Sequence, residues 1–332
     1  MTQPPVRDAD LPVLAVLGRH ADDLPPHLEP LEDRVQIRVA DEAGLAEAVQ
    51  GARALFLWDF FSSSLEQVWE HCEDLEWVHV AAAGVDKLLF PALRDSPVVV
   101  TNARGTFDRP IAEFVLGAVL ARAKRLHESA ELQRQHIWEH RETASVQGAT
   151  ALVVGTGAIA REIARLLRAV GMQVRGAGRR EREHDPDLGT VVSSAHLPEH
   201  VGWADHVINA TPLTEQTRGL FDASVFDAMA PGAHFVNIGR GESVVEADLV
   251  AALEGRHLGG ASLDVFVTEP LPPQSPLWDC PGLVISAHLS GDVVGWRDAL
   301  ARQFVDNALR WLDGADLHNV VDKELGYVRS AG

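Results

Sequence analysis

Three ionisable residues in the second half of the chain each follow an apolar run: Arg240 after 235–238, Glu269 after 263–267 and His288 after 284–286. If the runs are parallel strands of one sheet, their carboxyl ends share an edge, and the three side chains can converge there. Histidine suits proton transfer near neutrality. A carboxylate beside it holds the imidazole and favours its protonated form. An arginine fork grips a carboxylate and stabilises charge on a neighbouring carbonyl oxygen. Hydride reduction of a ketone beside a carboxylate needs all three groups. Taken singly, each residue has a plainer reading: most of the 15 histidines must be surface or packed residues, and Glu269-Pro-Leu-Pro-Pro reads as a solvated turn.

A hydride implies a carrier, and residues 150–160 supply a place for one. Gly155-Thr156-Gly157-Ala158-Ile159-Ala160 is G-x-G-x-x-A at the end of the apolar run 151–154, with a helical pattern over 161–170 after it. Gly155 permits the tight turn, Gly157 lets backbone approach a pyrophosphate, and Ala160 allows helix to pack closely on strand. The helix start then offers amides and dipole to the anion. An NAD-selective fold places an acid about 20 residues on, at the end of the second strand. Here that place reads Gly178-Arg179-Arg180, which favours NADP(H) over NAD(H) because guanidinium pairs well with a 2′-phosphate. The alternative is that Arg179 and Arg180 begin a solvated charged loop over 179–187.

The elements that must position these residues follow a βαβ rhythm. Strands are expected at 12–17, 35–39, 54–58, 77–80 and 98–100, with helices at 41–49 and 65–72. A bridging helix is expected over 107–126. A second series follows at 151–154, 173–175, 206–209, 234–238, 261–265 and 283–286. The amphipathic stretch 298–312 is expected to return and pack on the first half. The fold class is therefore α/β, with two doubly wound parallel sheets.

Composition excludes several classes. The 332 residues are 46% hydrophobic and 23% charged, enough for two domains with their own cores. Lys and Arg number 29 against 48 Asp and Glu, and a net charge of −19 opposes nucleic acid and anionic membranes as partners. Cys72 and Cys280 are isolated, which indicates neither a disulfide framework nor a zinc site and fits a reducing cytoplasm. The start lacks a basic signal region, and no apolar stretch approaches a membrane span. The pairs His136/His140 and His196/His200 have metal-like spacing, but the first lacks the HExxH glutamate and the second contains Pro198, so no metal is expected.

Together these motifs resemble the D-isomer-specific 2-hydroxyacid dehydrogenases, especially the glyoxylate and hydroxypyruvate reductase-like branch. The resemblance rests on residues 154–160, Gly171-Met172, Asn209-Ala-Thr211-Pro212-Leu-Thr214 and Asn237-Ile238-Gly-Arg240-Gly241-Glu242. It continues through Leu263-Asp264-Val-Phe266, Glu269-Pro-Leu-Pro272, Ala287-His288 and Asn319-Val-Val-Asp322. It implies that Arg240, Glu269 and His288 are the catalytic triad and that Asp264 bonds the nicotinamide carboxamide. The glycine loop with Arg179, Arg180, Thr211, Pro212 and Ile238 would complete the cofactor site. Ala83, Gly84 and Val85 would give backbone amides to a substrate carboxylate, with Trp58 a candidate wall for its side chain; Phe60 and Trp296 are further aromatic candidates. The implied architecture is a discontinuous flavodoxin-like substrate domain, 1–102 plus 290–332, and a Rossmann cofactor domain, 103–289, with a cleft between them. A homodimer built on residues 107–138, and a small 2-keto or 2-hydroxy acid as substrate, are implied too.

Some features depart from the pattern. Ala160 replaces the more frequent third glycine, and Ser290-Gly291 stands where Ala-Gly is common. Glu269 argues against the related formate dehydrogenases, which carry Gln there. A competing reading from another class is a dinucleotide-sensing scaffold, like the corepressors that share this fold, without significant turnover.

Overall fold

The computed structural model describes residues 11–329. The chain forms two compact units: one takes the described residues up to Thr106 together with those from Val294 onward, the other is Phe107–Val293. These limits fall four residues beyond the expected 102/103 and 289/290. The N–H of Thr106 still bonds the Ala103 carbonyl of the first unit, while Gly291 lies against Phe107 of the second.

The first unit carries β1 (Val13–Leu17), β2 (Gln36–Ala40), β3 (Ala52–Leu57), β4 (Trp77–Val80) and β5 (Val99–Asn102). Their order is β2-β1-β3-β4-β5, and every pairing is parallel. Strands covered on both faces need continuous apolar runs, and all five residues of β1 are buried. The helix Trp296–Leu312 covers the sheet, stacking Phe304 on Phe56 with ring centroids 3.8 Å apart and placing Trp311 5.9 Å from Trp77. The expected helices 41–49 and 65–72 are shorter in the fold, at Leu45–Ala48 and Ser64–Gln67, the latter followed by a 3-10 turn Trp69–His71. Asp41 Oδ1 accepts the Gly44 N–H at 3.1 Å, a side-chain turn that delays the first of them.

The second unit carries β6 (Thr150–Val154), β7 (Gln173–Gly178), β8 (Arg182–Asp185), β9 (Gly189–Ser193), β10 (His206–Asn209), β11 (His234–Asn237), β12 (Gly260–Leu263) and β13 (Leu283–Ile285). The order is β13-β12-β11-β10-β6-β7-β9-β8, parallel except for β8 on β9. Winding reverses between β6 and β10, the switch point at which such sheets bind ligands. Six strands are expected from sequence where the unit has eight; β8 occupies the charged stretch read as a possible loop. It is ordered because Asp185 draws both Arg161 guanidinium nitrogens at 2.8 Å and Arg182 at 2.8 Å, and accepts the Leu188 N–H at 3.1 Å. The bridging helix expected over 107–126 runs Asp108–Ala123, and a further helix, Leu126–Arg134, follows it beyond Arg125, which adopts φ 51°.

Candidate active site

The glycine turn lies at the carboxyl end of β6 and opens the helix Ala158–Ala169, whose face carries Ile163, Ala164 and Leu167 into the core. Gly155 has φ 120°, and a Cβ there would come within 2.7 Å of the Ala210 carbonyl oxygen on the neighbouring β10 turn. Only glycine fits that conformation and that approach. A Cβ at Gly157 would meet nothing within 4 Å, so its backbone borders open space at the helix start. This chemistry suits a pyrophosphate. Arg179 and Arg180 follow directly at the end of β7 and are exposed. Of the acids further on, Asp185 and Asp187 are committed elsewhere: both pair with Arg161, and Asp187 also pairs with Arg165. Those bonds hold the Asp185 carboxyl well below its ordinary range against the opposing effect of burial.

Arg240 sits on the turn after β11. The turn is tied down by buried polar side chains: Asn209 Nδ2 donates to Asn237 Oδ1 at 2.9 Å and to Ser243 Oγ at 2.6 Å. Asn237 Nδ2 and Ser243 Oγ in turn donate to the Arg240 carbonyl, at 3.1 and 2.5 Å. Sequence reasoning quotes Asn209 and Asn237 only as motif members and misses Ser243; a polar residue ending an otherwise apolar strand is a usable signal for the two asparagines. Thr211 joins the network, its N–H and hydroxyl both donating to Asn209 Oδ1 at 3.1 and 2.8 Å. Ile238 is buried beside it and Pro212 is exposed. Gly241 lies so close to the next loop that a Cβ would fall 1.9 Å from the Phe266 carbonyl carbon. The absence of a side chain there lets the Arg240 turn touch the loop that carries Glu269.

On that loop, Glu269 Oε1 accepts the Phe266 N–H at 2.9 Å. Its other oxygen, Oε2, lies 2.7 Å from His288 Nδ1. The two side chains are 24% and 39% exposed, so the pair is fixed but reachable. The imidazole is thereby held through Nδ1 by the carboxylate. Nearby, desolvation raises the Asp292 carboxyl above its ordinary value, with His288 opposing the shift and Asp264 adding to it. Asp264, 1% exposed at the end of β12, accepts from Ser286, Leu289 and Ser290. The second unit thus brings together Glu269 and His288, and sets the Arg240 turn against the Glu269 loop.

In the first unit, Ala82 and Ala83 lose their carbonyls to internal donors, the Ala103 N–H at 2.9 Å and Asn102 Nδ2 at 2.5 Å. The amides of Ala83, Gly84 and Val85 stay outside those bonds. Trp58 is 3% exposed; the Arg297 guanidinium lies 4.2 Å from its ring centroid and pairs with Asp23 at 3.2 Å. Phe60 packs edge-on to Trp296 at 5.9 Å. Trp58 is therefore a packed residue under an arginine, and Phe60 and Trp296 form a separate, more exposed pair. Among the described residues, no three His, Cys, Asp or Glu are grouped to hold a metal ion, and no helix is long and apolar enough to cross a membrane.

A doubly wound sheet with a glycine turn at its switch point and a carboxylate–imidazole pair on the same edge defines a nucleotide-binding α/β enzyme. Residues 116–290 match the family described as D-isomer specific 2-hydroxyacid dehydrogenase, NAD binding domain. The chain is 34% identical over 282 residues to an (S)-sulfolactate dehydrogenase of Chromohalobacter salexigens, covering 82% of this chain and 89% of that one. It is 32% identical over 262 residues to glyoxylate/hydroxypyruvate reductase A of Serratia proteamaculans, covering 76% and 82%. A solved NADPH-dependent glyoxylate/hydroxypyruvate reductase from Sinorhizobium meliloti, in complex with NADP and sulfate, superposes with a TM-score of 0.80 at 30% identity, covering 96% of this chain and 100% of that one. The chain belongs to the D-isomer-specific 2-hydroxyacid dehydrogenase family, oxidoreductases that use a nicotinamide cofactor and act on the CH–OH group of 2-hydroxy acids.

Proposed function

We propose that the protein is an NADPH-preferring reductase of small 2-keto acids, glyoxylate and hydroxypyruvate among them. The observation that carries this reading is the 2.7 Å His288–Glu269 pair on the edge that also bears the glycine turn. The preference for NADP(H) rests on Arg179 and Arg180 and on the engagement of Asp185 and Asp187 with helix arginines. It is consistent with NADP in the Sinorhizobium structure. Gly155, Thr156, Gly157, Ala158 and Ile159 would hold the pyrophosphate, with Thr211, Pro212 and Ile238 lining the rest. When bound, the reduced nicotinamide supplies the hydride that C2 of the keto acid receives.

The chain's own residues do the remainder. His288 holds a proton on Nε2 and releases it to the carbonyl oxygen as that oxygen becomes an alkoxide. Glu269 orients the imidazole through its bond to Nδ1. Arg240 binds the substrate carboxylate and offsets charge on the carbonyl oxygen. The amides of Ala83, Gly84 and Val85 serve the carboxylate as well. Leu126, Ile137 and Trp138, which are 52%, 48% and 99% exposed, support a homodimer built on this segment. Buried free Cys72 and Cys280 suit the cytoplasm.

The test is steady-state oxidation of NADPH and of NADH with glyoxylate, hydroxypyruvate, pyruvate, phenylpyruvate and 2-ketoisocaproate. Faster turnover with NADPH and one of the short acids is expected. Silence with every pair, while the protein binds dinucleotide, would overturn the reading.

A further inference from the structure

His288 has φ 51°, a left-handed conformation that is costly for a residue with a Cβ and persists only where its surroundings impose it. Glu269 holds only the tip of the side chain. The backbone on both sides of His288 is held by one buried carboxylate. Asp264 Oδ1 accepts the Ser286 hydroxyl at 2.6 Å, two residues before the histidine, and the Leu289 N–H at 3.0 Å, immediately after it. Asp264 Oδ2 accepts the Ser290 N–H at 3.0 Å. Both oxygens are therefore engaged with the loop, and the carboxylate is 1% exposed. The flank is secured once more where the Ser286 N–H donates to the Leu263 carbonyl at 2.9 Å, next to Asp264 itself.

We propose that Asp264 is a positioning residue for proton transfer, a clamp that fixes the loop 286–290 and holds His288 in its left-handed conformation in line with Glu269. Charge-assisted bonds to two successive backbone amides and a hydroxyl are strong enough to offset the conformational cost. The proposal rests on the reading of His288 as the proton donor, and it assigns Asp264 a task separate from contact with the nicotinamide carboxamide. Such a contact would have to share oxygens already accepting three hydrogen bonds.

The two tasks separate experimentally. Asp264→Asn keeps the volume but turns an NH2 group toward one set of donors. Loss of the clamp is expected to lower kcat about 100-fold, the scale of a misplacement near 1 Å, while the Kd for NADPH stays close to that of the unaltered protein. The same loss is expected with the 3-acetylpyridine analogue of NADPH, whose ring carries no amide N–H. Without substrate, amide exchange at Leu289 and Ser290 should quicken roughly 10- to 100-fold. Ser286→Ala, which removes one donor and leaves Asp264 intact, should lower kcat several-fold and quicken the same amides less. The proposal is overturned if Asp264→Asn weakens NADPH binding with unchanged amide exchange, or if its penalty vanishes with the analogue. Should Asp264→Asn fail to fold, Ser286→Ala decides: unchanged exchange and turnover overturn the clamp. If the unaltered protein reduces no keto acid, the functional reading fails, and the exchange comparison alone settles whether the clamp exists.

Discussion

The two edges of the eight-stranded sheet treat their histidines in opposite ways. At the carboxyl edge His288 is partly exposed and paired with a carboxylate. At the amino edge His206 and His234 begin β10 and β11, buried and facing each other with Nδ1 atoms 3.2 Å apart, while His234 Nε2 meets Ser262 Oγ at 3.0 Å. Burial holds His206 down to about 4, with Asp205 opposing and Arg122 reinforcing the shift. His234 lies well below its ordinary value, from burial first and then from repulsion by His206, Arg122 and His127. A cavity of about 1060 Å³ opens there, also lined by Arg122 and Glu142, yet His206 and His234 stay neutral at pH 7. A cavity lined by histidines is not enough to make them titrate near neutrality. His288 differs from them in having both a carboxylate partner and access.

The sharpest way to break this comparison is His288→Asn. Turnover should fall by roughly 10²- to 10⁴-fold with cofactor affinity and melting temperature retained. A matching loss of cofactor affinity would make the carboxyl-edge histidine structural, like its counterparts. Next in size, Arg161→Ala strips Asp185 of its two-nitrogen partner behind the glycine turn. Because Asp185 is buried and keeps Arg182, the cost should be about 2 kcal/mol in urea unfolding, with neither edge's histidines touched.

The amino edge predicts a pH effect. Neutral histidines in the folded protein bind fewer protons than the unfolded chain below pH 6.5, the ordinary value for the group. Stability is therefore present above that pH and lost as pH falls toward 4, at about 1.4 kcal/mol per pH unit for each histidine. His234→Gln should reduce the slope of unfolding free energy against pH by one histidine's share. An unchanged slope would remove the amino-edge argument. Asp185 acts in a separate window: its depressed carboxyl contributes stability above pH 3.8 that is lost only in stronger acid. The smallest expected effect is that of Arg179→Ser, which should raise the KM for NADPH about tenfold through lost charge-assisted bonds and leave that for NADH nearly unchanged.

Much of this was legible in the sequence because it depends on local pattern. The glycine turn follows an apolar strand, and Arg240, Glu269 and His288 each follow another, so strand assignment alone brought them to one edge. Hidden were features decided by long-range pairing. Strand β8 has the sequence Arg-Glu-His-Asp and no apolar alternation; it exists because Arg161 on a distant helix draws Asp185 into place. The helix Leu126–Arg134 was also hidden, since no glycine or proline separates it from the helix before it. Asn209 and Asn237 read as strand ends and Ser243 as an unmarked turn residue, and only their mutual bonds reveal how they fix Arg240. Trp58 reads from sequence more readily as core than as pocket wall, and its side chain is buried under Arg297.

The stacking of Phe304 on Phe56 has a consequence for biogenesis. During translation the first unit's sheet leaves the ribosome early, but the helix that covers it is made only after all of Phe107–Val293. At about 5–20 residues per second, Phe56 and Trp77 wait through the synthesis of an entire intervening unit before their cover arrives. The nascent first unit is thus a sticky, half-finished surface, and the second unit, continuous in the chain, is free to mature ahead of it. A stalled or truncated product lacking the helix Trp296–Leu312 would be a natural client for chaperones.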